Sequence, residues 1–315
     1  MRNIGILSTS SIAPRFIAAA REEGSFEIAA LSSRTLEKAE EKAKAWDIPK
    51  ACGSHEELLE DRDVDIVYIS AVNAAHYKWA KAALLAGKHV ICEKPCTTAE
   101  AQTRELFTLA KERGLFLMEA QKMLFLPAVQ AAKAAIDSGK LGKIHMAEFN
   151  HSFYGSYNNW MYEESMGGGP LLSSAIYVIE LLQYLFDCNV AEIDGLCTKH
   201  PGTNVEEQYV ISGRMENGVL FSLKNSTVAL LKNGACIYGE AGYAELPDYW
   251  KARKVIFCDH KDTRVQEYPC DHELVYEVRH IADCFAKGLT ESPVVTGEFS
   301  ARAIRVLEQL KTKWN

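Results

Sequence analysis

Through the first 120 residues, apolar runs of four to six residues alternate with longer segments whose apolar positions recur at helical spacing. The runs fall at 3–7, 27–32, 66–70, 89–92 and 116–119. The helical patterns fall at 11–23, 35–46, 55–60, 74–86 and 98–113. Short apolar strands need cover on both faces, and alternating helices supply it, so this half predicts a parallel, doubly wound α/β sheet. Gly24, Gly87 and Gly114 each stand where a helix should stop. Ser54 and Thr98 are expected N-caps.

After about residue 122 the pattern changes. A helix is expected over 127–138 and a long alternating strand over 144–154. Further strands are expected at 192–197, 207–215, 218–228, 235–239, 243–247 and 254–258, and closing helices at 274–287 and 300–313. Asn217-Gly218 is a hairpin signal. Consecutive strands with short turns predict an α+β domain with a large, open, mostly antiparallel sheet. The expected division is 1–122 and 123–315. The segment 170–186 follows Gly167, Gly168 and Gly169 and is apolar almost all round, so it is expected to be buried. Ser173 and Tyr177 lie four apart and share one face of an α-helix.

At 315 residues the chain is long enough for two domains, each with a core. A formal net charge of −7 and the lack of a basic run argue against nucleic-acid binding. No apolar run of membrane-spanning length stands out, so no span and no membrane partner are expected. The first strand follows Met1 and Arg2 so closely that no signal peptide is expected. Nine cysteines without a CxxC pair fit reduced thiols and a cytoplasmic location.

The opening stretch IGILSTSSIA has the shape of a dinucleotide-binding turn, with Ser8 and Ser10 where glycines are usual. Ser8, Thr9, Ser10, Ser11 and Ile12 lead into a helix N-terminus, whose free N–H groups attract phosphate. A plain strand–turn–helix without a ligand would read the same way. At the end of the second strand, Ser33 and Arg34 stand where an acidic residue would select NAD. Arg34 is suited to a 2′-phosphate, which favours NADP(H) over NAD(H); the competing reading is a solvated arginine. Ala71, Asn73 and His76 follow another strand end, and Glu93 and Lys94 follow a third, in AGKHVICEKP. A lysine there can polarise a hydroxyl or carbonyl. Taken alone, His76 is more readily structural than catalytic. Cys258, His260, Cys270 and His272 repeat a Cys-x-His spacing that could meet a metal ion, but it is not an established zinc pattern, and no metal is expected.

Together, AGKHVICEKP, VYISAVNAAH, GGGPLLSSAIYVIELLQYLF and the closing GLTESPVVTGEFSARAIRVLEQL resemble the Gfo/Idh/MocA oxidoreductases over essentially the whole chain. The resemblance implies a Rossmann domain followed by a domain with a large open sheet. It also implies NAD(P)-dependent hydride transfer on a sugar, polyol or dihydrodiol-like small molecule, with Lys94 and Tyr177 as the catalytic pair. Without the resemblance, Tyr177 reads as a core aromatic. Gln121, Tyr154, Asn158, Trp160 and Ser173 are candidate substrate contacts. Ser173 replaces a frequent aspartate, and Leu124 and Leu126 replace basic residues of many relatives. A homodimer through the second sheet is expected. The serine replacements also leave room for a non-catalytic NADP-binding sensor, which turnover assays distinguish from an enzyme.

Overall fold

Strand β1 (Arg2–Leu7) is buried from Ile4 through Leu7 and sits in the middle of a six-stranded sheet. In the computed structural model, residues 1–153 and 159–314 are described, in two units. The first contains Met1–Gln121 and His272–Ala301; the second contains Lys122–Asp271 and the chain from Arg302 onward.

In the first unit, β1 is followed by α1 (Ala13–Glu23), β2 (Phe26–Ser32), α2 (Leu36–Ala45), β3 (Lys50–Cys52) and α3 (His55–Glu60). Then come β4 (Ile66–Ile69), α4 (His76–Leu85), β5 (His89–Glu93), α5 (Glu100–Glu112) and β6 (Leu117–Ala120). The order is β3-β2-β1-β4-β5-β6 with every pairing parallel, the doubly wound sheet expected. Gly24, Gly87 and Gly114 take φ of 85°, 80° and 64°, the left-handed turn that ends a helix. Ser54 caps α3 by accepting from the Glu57 N–H at 3.0 Å. Thr98 does not cap α5: the capping position is Ala99, and Thr97 Oγ1 instead donates to the Ala99 carbonyl at 2.8 Å.

The second unit contains α6 (Pro127–Asp137), β7 (Ile144–Ser152), α7 (Ile176–Phe186), β8 (Val190–Lys199), β9 (Glu206–Met215) and β10 (Leu220–Ser226). It continues with β11 (Gly234–Gly239), β12 (Gly242–Pro247), β13 (Lys254–Asp259) and β14 (Thr263–Glu267). The order is β14-β13-β12-β11-β7-β10-β9-β8. Among the described residues every pairing is antiparallel except β7 with β10. The hairpin at Asn217-Gly218 forms, with Gly218 at φ 91°. The strand expected over 144–154 ends at Ser152.

Sequence patterning missed two strands. β3 has three residues, too few to show a period, and β14 is exposed at all five positions, so it has no apolar alternation. A further departure concerns α8 (Val275–Ala286), which belongs with the first unit rather than with the residues before it. Its Phe285 packs against Phe26, Phe116 and His89, and Glu273 just ahead of it pairs with Arg15. Helix α9 (Gly297–Trp314) starts in the first unit and continues into the second.

Contrary to expectation, Glu164–Phe186 is long and apolar enough to cross a membrane by length and composition. Its most apolar window is 89% buried inside the protein, which accounts for that character as core packing. Within this segment Leu171–Ala175 is π-helical, and α7 follows directly. Ser173 sits in the π turn and Tyr177 in the first turn of α7.

Candidate active site

In the first unit, β1 and β4 are neighbours from which the strand order runs outward in both directions. That is where an open parallel sheet leaves a crevice beyond its carboxyl ends. The loop after β1 bends at Ser8, which takes φ 91°, a left-handed conformation that favours glycine. The Ser8 N–H donates to the Ser32 carbonyl at 3.2 Å, and the Ala13 N–H to the Ser10 carbonyl at 3.2 Å. Serine therefore follows the glycine path at a conformational cost. Helix α1 has no side-chain cap; Pro14 in its first turn carries no N–H, and the Arg15 N–H donates to the Ile12 carbonyl at 3.0 Å. Ser10 Oγ is buried beside that end without a hydrogen-bond partner among the described residues, and so is Ser70 Oγ just past β4. Two orphaned hydroxyls at the switch point, one of them at the head of α1, suit the phosphates of a dinucleotide. Thr9 and Ile12 are half-buried in this loop, and Ser11 is exposed.

At the end of β2, Ser33 is buried and its N–H donates to the Cys52 carbonyl at 3.3 Å. Arg34 is exposed, and among the described residues no hydrogen bond or ion pair holds its guanidinium. Sequence reasoning missed His55, whose Nδ1 lies 2.8 Å from Ser32 Oγ and whose ring meets Trp79 edge-on. Burial holds its pKa below the usual histidine range.

The loop after β5 is anchored at nearly every residue. The Tyr68 hydroxyl donates to Glu93 Oε1 at 2.6 Å, and the Lys94 N–H donates to Glu93 Oε2 at 3.3 Å. The Lys94–Pro95 bond is cis. The Cys96 N–H donates to Oε1 of buried Glu119 at 2.8 Å, and Thr97 Oγ1 lies 2.7 Å from Thr103 Oγ1. Lys94 is half-buried at the head of this loop. Tyr68 and Glu119 position it, yet both read as ordinary strand residues in the sequence.

His76 must be reassigned. It is fully buried, with Nδ1 2.8 Å from the Pro95 carbonyl oxygen and Nε2 2.9 Å from that of Ala71. Burial lowers its pKa, against the pull of the two carbonyls. With its two ring nitrogens facing the Pro95 and Ala71 carbonyls, His76 bridges the loops after β4 and β5, and the neutral ring donates through one of the two. Asn73 is buried in the 3-10 turn Asn73–Ala75 at the head of α4. Gln121 is fully buried after β6, its N–H donating to the Glu119 carbonyl at 3.0 Å.

In the second unit, two of the three glycines before Tyr177 are a steric requirement. A Cβ on Gly168 would lie 2.5 Å from the Met161 carbonyl oxygen, and one on Gly169 would lie 2.4 Å from Glu206 Oε1. That close approach lets Glu206 Oε1 accept from the Leu171 N–H at 2.7 Å, supplying an acceptor at the start of the helix. Burial raises the Glu206 pKa, with the backbone N–H bonds opposing it. The sequence carried no sign of this contact. Ser173 Oγ donates to the Gly169 carbonyl at 2.9 Å. Tyr177 is buried in the first turn of α7. Trp160 is half-buried in the turn Asn159–Tyr162; Tyr154 and Asn158 lie outside the described residues.

No group of three or more His, Cys, Asp or Glu side chains among the described residues is arranged to hold a metal ion. Cys258 Sγ lies 3.2 Å from Thr263 Oγ1.

Comparison with known proteins agrees with this layout. Residues 2–121 match a family described as "Oxidoreductase family, NAD-binding Rossmann fold", and residues 129–245 match the "GFO/IDH/MocA C-terminal domain". The chain is 31% identical over 317 residues to trans-1,2-dihydrobenzene-1,2-diol dehydrogenase of Macaca fuscata fuscata, covering 98% of this chain and 95% of the relative. It is 32% identical to the Bos taurus enzyme of that name, with the same coverage. Among solved structures, KijD10, a 3-ketoreductase from Actinomadura kijaniata in complex with TDP-benzene and NADP, shares the fold. Its TM-score is 0.88 at 23% identity, covering 99% of this chain and 97% of the other. A levoglucosan dehydrogenase in complex with NADH and levoglucosan has a TM-score of 0.89 at 18% identity, covering 100% and 98%.

Proposed function

The chain belongs to the Gfo/Idh/MocA oxidoreductase family and is an NAD(P)-dependent enzyme acting on CH–OH groups; we propose that its cofactor is NADP(H) and its substrate a sugar, polyol or dihydrodiol. The observation that carries the proposal is the anchored Lys94, held after β5 along the same sheet edge as the uncapped α1 and the two orphaned serines. The exposed Arg34 beside the β2 end supports NADP(H), since a guanidinium forms charge-assisted bonds to a 2′-phosphate. The dihydrodiol dehydrogenases among the relatives support the substrate class.

The nicotinamide, when bound, supplies or accepts the hydride. The Lys94 ammonium donates to the reacting oxygen and stabilises negative charge developing on it. Tyr177 gives or takes the proton of that oxygen through its hydroxyl. A tyrosine needs a neighbouring cation for this work near neutral pH, and Lys94 is the cation we assign. The pairing of these two residues rests on the family resemblance.

We assign a homodimer as the working form. Leu196 of β8 stands in register with Val210 of β9, and Leu220 of β10 with Met146 of β7. All four are exposed, which leaves apolar side chains on the outer face of the second sheet. A cytoplasmic location is supported by the nine cysteines, all free.

The deciding assay follows reduced cofactor while the protein is offered a panel of sugars, polyols and trans-dihydrodiols with NADP+ and, in parallel, NAD+. Turnover of at least one panel member, faster with NADP+, is expected. No turnover of any member with either cofactor would overturn the proposal.

A further inference from the structure

The covered face of the second sheet carries a row of polar side chains that the chemistry above does not use. Along β10, Phe221, Leu223 and Asn225 are buried on one face, while Leu220 and Lys224 are exposed on the other. Asn225 stands in register with His151 of β7 on one side and Tyr209 of β9 on the other. His151 lies 3.1 Å from the Tyr249 hydroxyl through Nδ1, and its ring stacks on Trp250 with centroids 4.0 Å apart. The Tyr209 hydroxyl donates to the carbonyl of Pro170, the residue that opens the helical segment carrying Tyr177. The row therefore runs from Trp250 to the head of that segment, with Asn225 at its centre.

Asn225 is only 2% exposed, yet among the described residues neither its Oδ1 nor its Nδ2 has a hydrogen-bond partner. Burying an amide with both ends unpaired is costly, and a leucine of similar volume would occupy the position without that cost. The amide offers one donor and one acceptor side by side, which matches hydroxyl groups, each both donor and acceptor. It carries no charge to attract or repel an ionic substrate. We propose that Asn225 is a specificity residue that binds the hydroxyl adjacent to the reacting carbon, selecting vicinal diols over simple alcohols. The assignment rests on the oxidoreductase reading above and narrows its substrate class.

The test uses the full chain loaded with NADP+, in wild-type form and as Asn225→Leu and Asn225→Ala. The probes are trans-cyclohexane-1,2-diol and cyclohexanol. Calorimetry measures binding of each probe, and absorbance of reduced cofactor measures turnover separately. Wild type should bind the diol at least about tenfold more tightly than the mono-alcohol, the effect of one added hydrogen bond. Both variants should bind the two probes alike. Without any probe, Asn225→Leu should melt at or above the wild-type temperature, because it removes a buried unpaired amide. A fall of several degrees would mean that Asn225 has a structural role and would overturn the proposal. Absence of a diol preference in wild type, or its survival in Asn225→Leu, would overturn it equally. If wild type prefers the diol in binding, the variants lose that preference and nothing is turned over, the catalytic reading fails while Asn225 stands as the diol-binding group. If wild type turns the diol over and both variants keep the preference, the catalytic reading stands and the Asn225 assignment fails.

Discussion

The hydroxyl of Tyr68 donates to Oε1 of Glu93 across 2.6 Å, while the Tyr68 ring stacks on Phe16 with centroids 3.7 Å apart and planes 6° from parallel. One buried side chain thus ties α1, β4 and the loop of Lys94 together. Tyr68→Phe keeps the stack and removes the donor from a carboxylate. A hydrogen bond to a charged group contributes about 1.5–3 kcal/mol. The variant should therefore melt several degrees lower by calorimetry. An unchanged melting temperature would show that Glu93 does not depend on Tyr68.

Tyr177→Phe deletes only a hydroxyl from a buried ring and should preserve the packing of α7. If Tyr177 transfers the proton, kcat should drop by about 10²–10⁴ with cofactor affinity nearly unchanged. Lys94→Ala should do at least as much damage. The double variant should be little worse than either single one, because groups acting as a unit are not additive. Full kcat in Tyr177→Phe would remove Tyr177 from the mechanism.

Arg34 is exposed at the end of β2 and is expected to reach a 2′-phosphate. Arg34→Ala should weaken NADPH by roughly tenfold or more and leave NADH almost unaffected, as the loss of one charge-assisted contact predicts. Fluorescence titration of both cofactors checks this. Equal affinities in the wild type would contradict the cofactor assignment.

Ser8 holds φ 91° with a side chain that disfavours it. A non-glycine residue in that region costs on the order of 1–3 kcal/mol, partly offset by the greater unfolded freedom of glycine. Ser8→Gly should therefore raise stability by about 1 kcal/mol in urea unfolding. Destabilisation instead would mean that the Ser8 hydroxyl makes a contact worth more than the strain.

Leu196 and Val210 sit side by side on the outer face of the second sheet. If that face joins two copies, Leu196→Lys combined with Val210→Lys should halve the mass seen by light scattering at micromolar concentration. The wild type scattering as a 35 kDa particle would refute the dimer directly.

Much of this molecule can be read from local pattern. The period of apolar residues announces a strand or a helix because it records which face is buried. That suffices for the alternation that builds the parallel sheet, the glycines that end α1, α4 and α5, and the Asn-Gly hairpin between β9 and β10. Since ligands of such sheets gather beyond the strands' carboxyl ends, position in the pattern also put Ser10, Asn73 and Lys94 along one edge. Only the tertiary structure decided where hydrogen bonds go, because a polar side chain chooses among partners that are distant in sequence. His76 reads as a possible acid until its two ring nitrogens are seen facing the Ala71 and Pro95 carbonyls. That the Ser173 hydroxyl donates back to the Gly169 carbonyl is likewise a bond of the folded chain. His151 and Asn225 occupy buried positions of alternating strands, a polar interruption the sequence displays. Their neighbourhood exists only because β7 and β10, distant in sequence, pair in parallel. Likewise α8 rejoins the first unit through Phe285 and Glu273, contacts that no local period encodes.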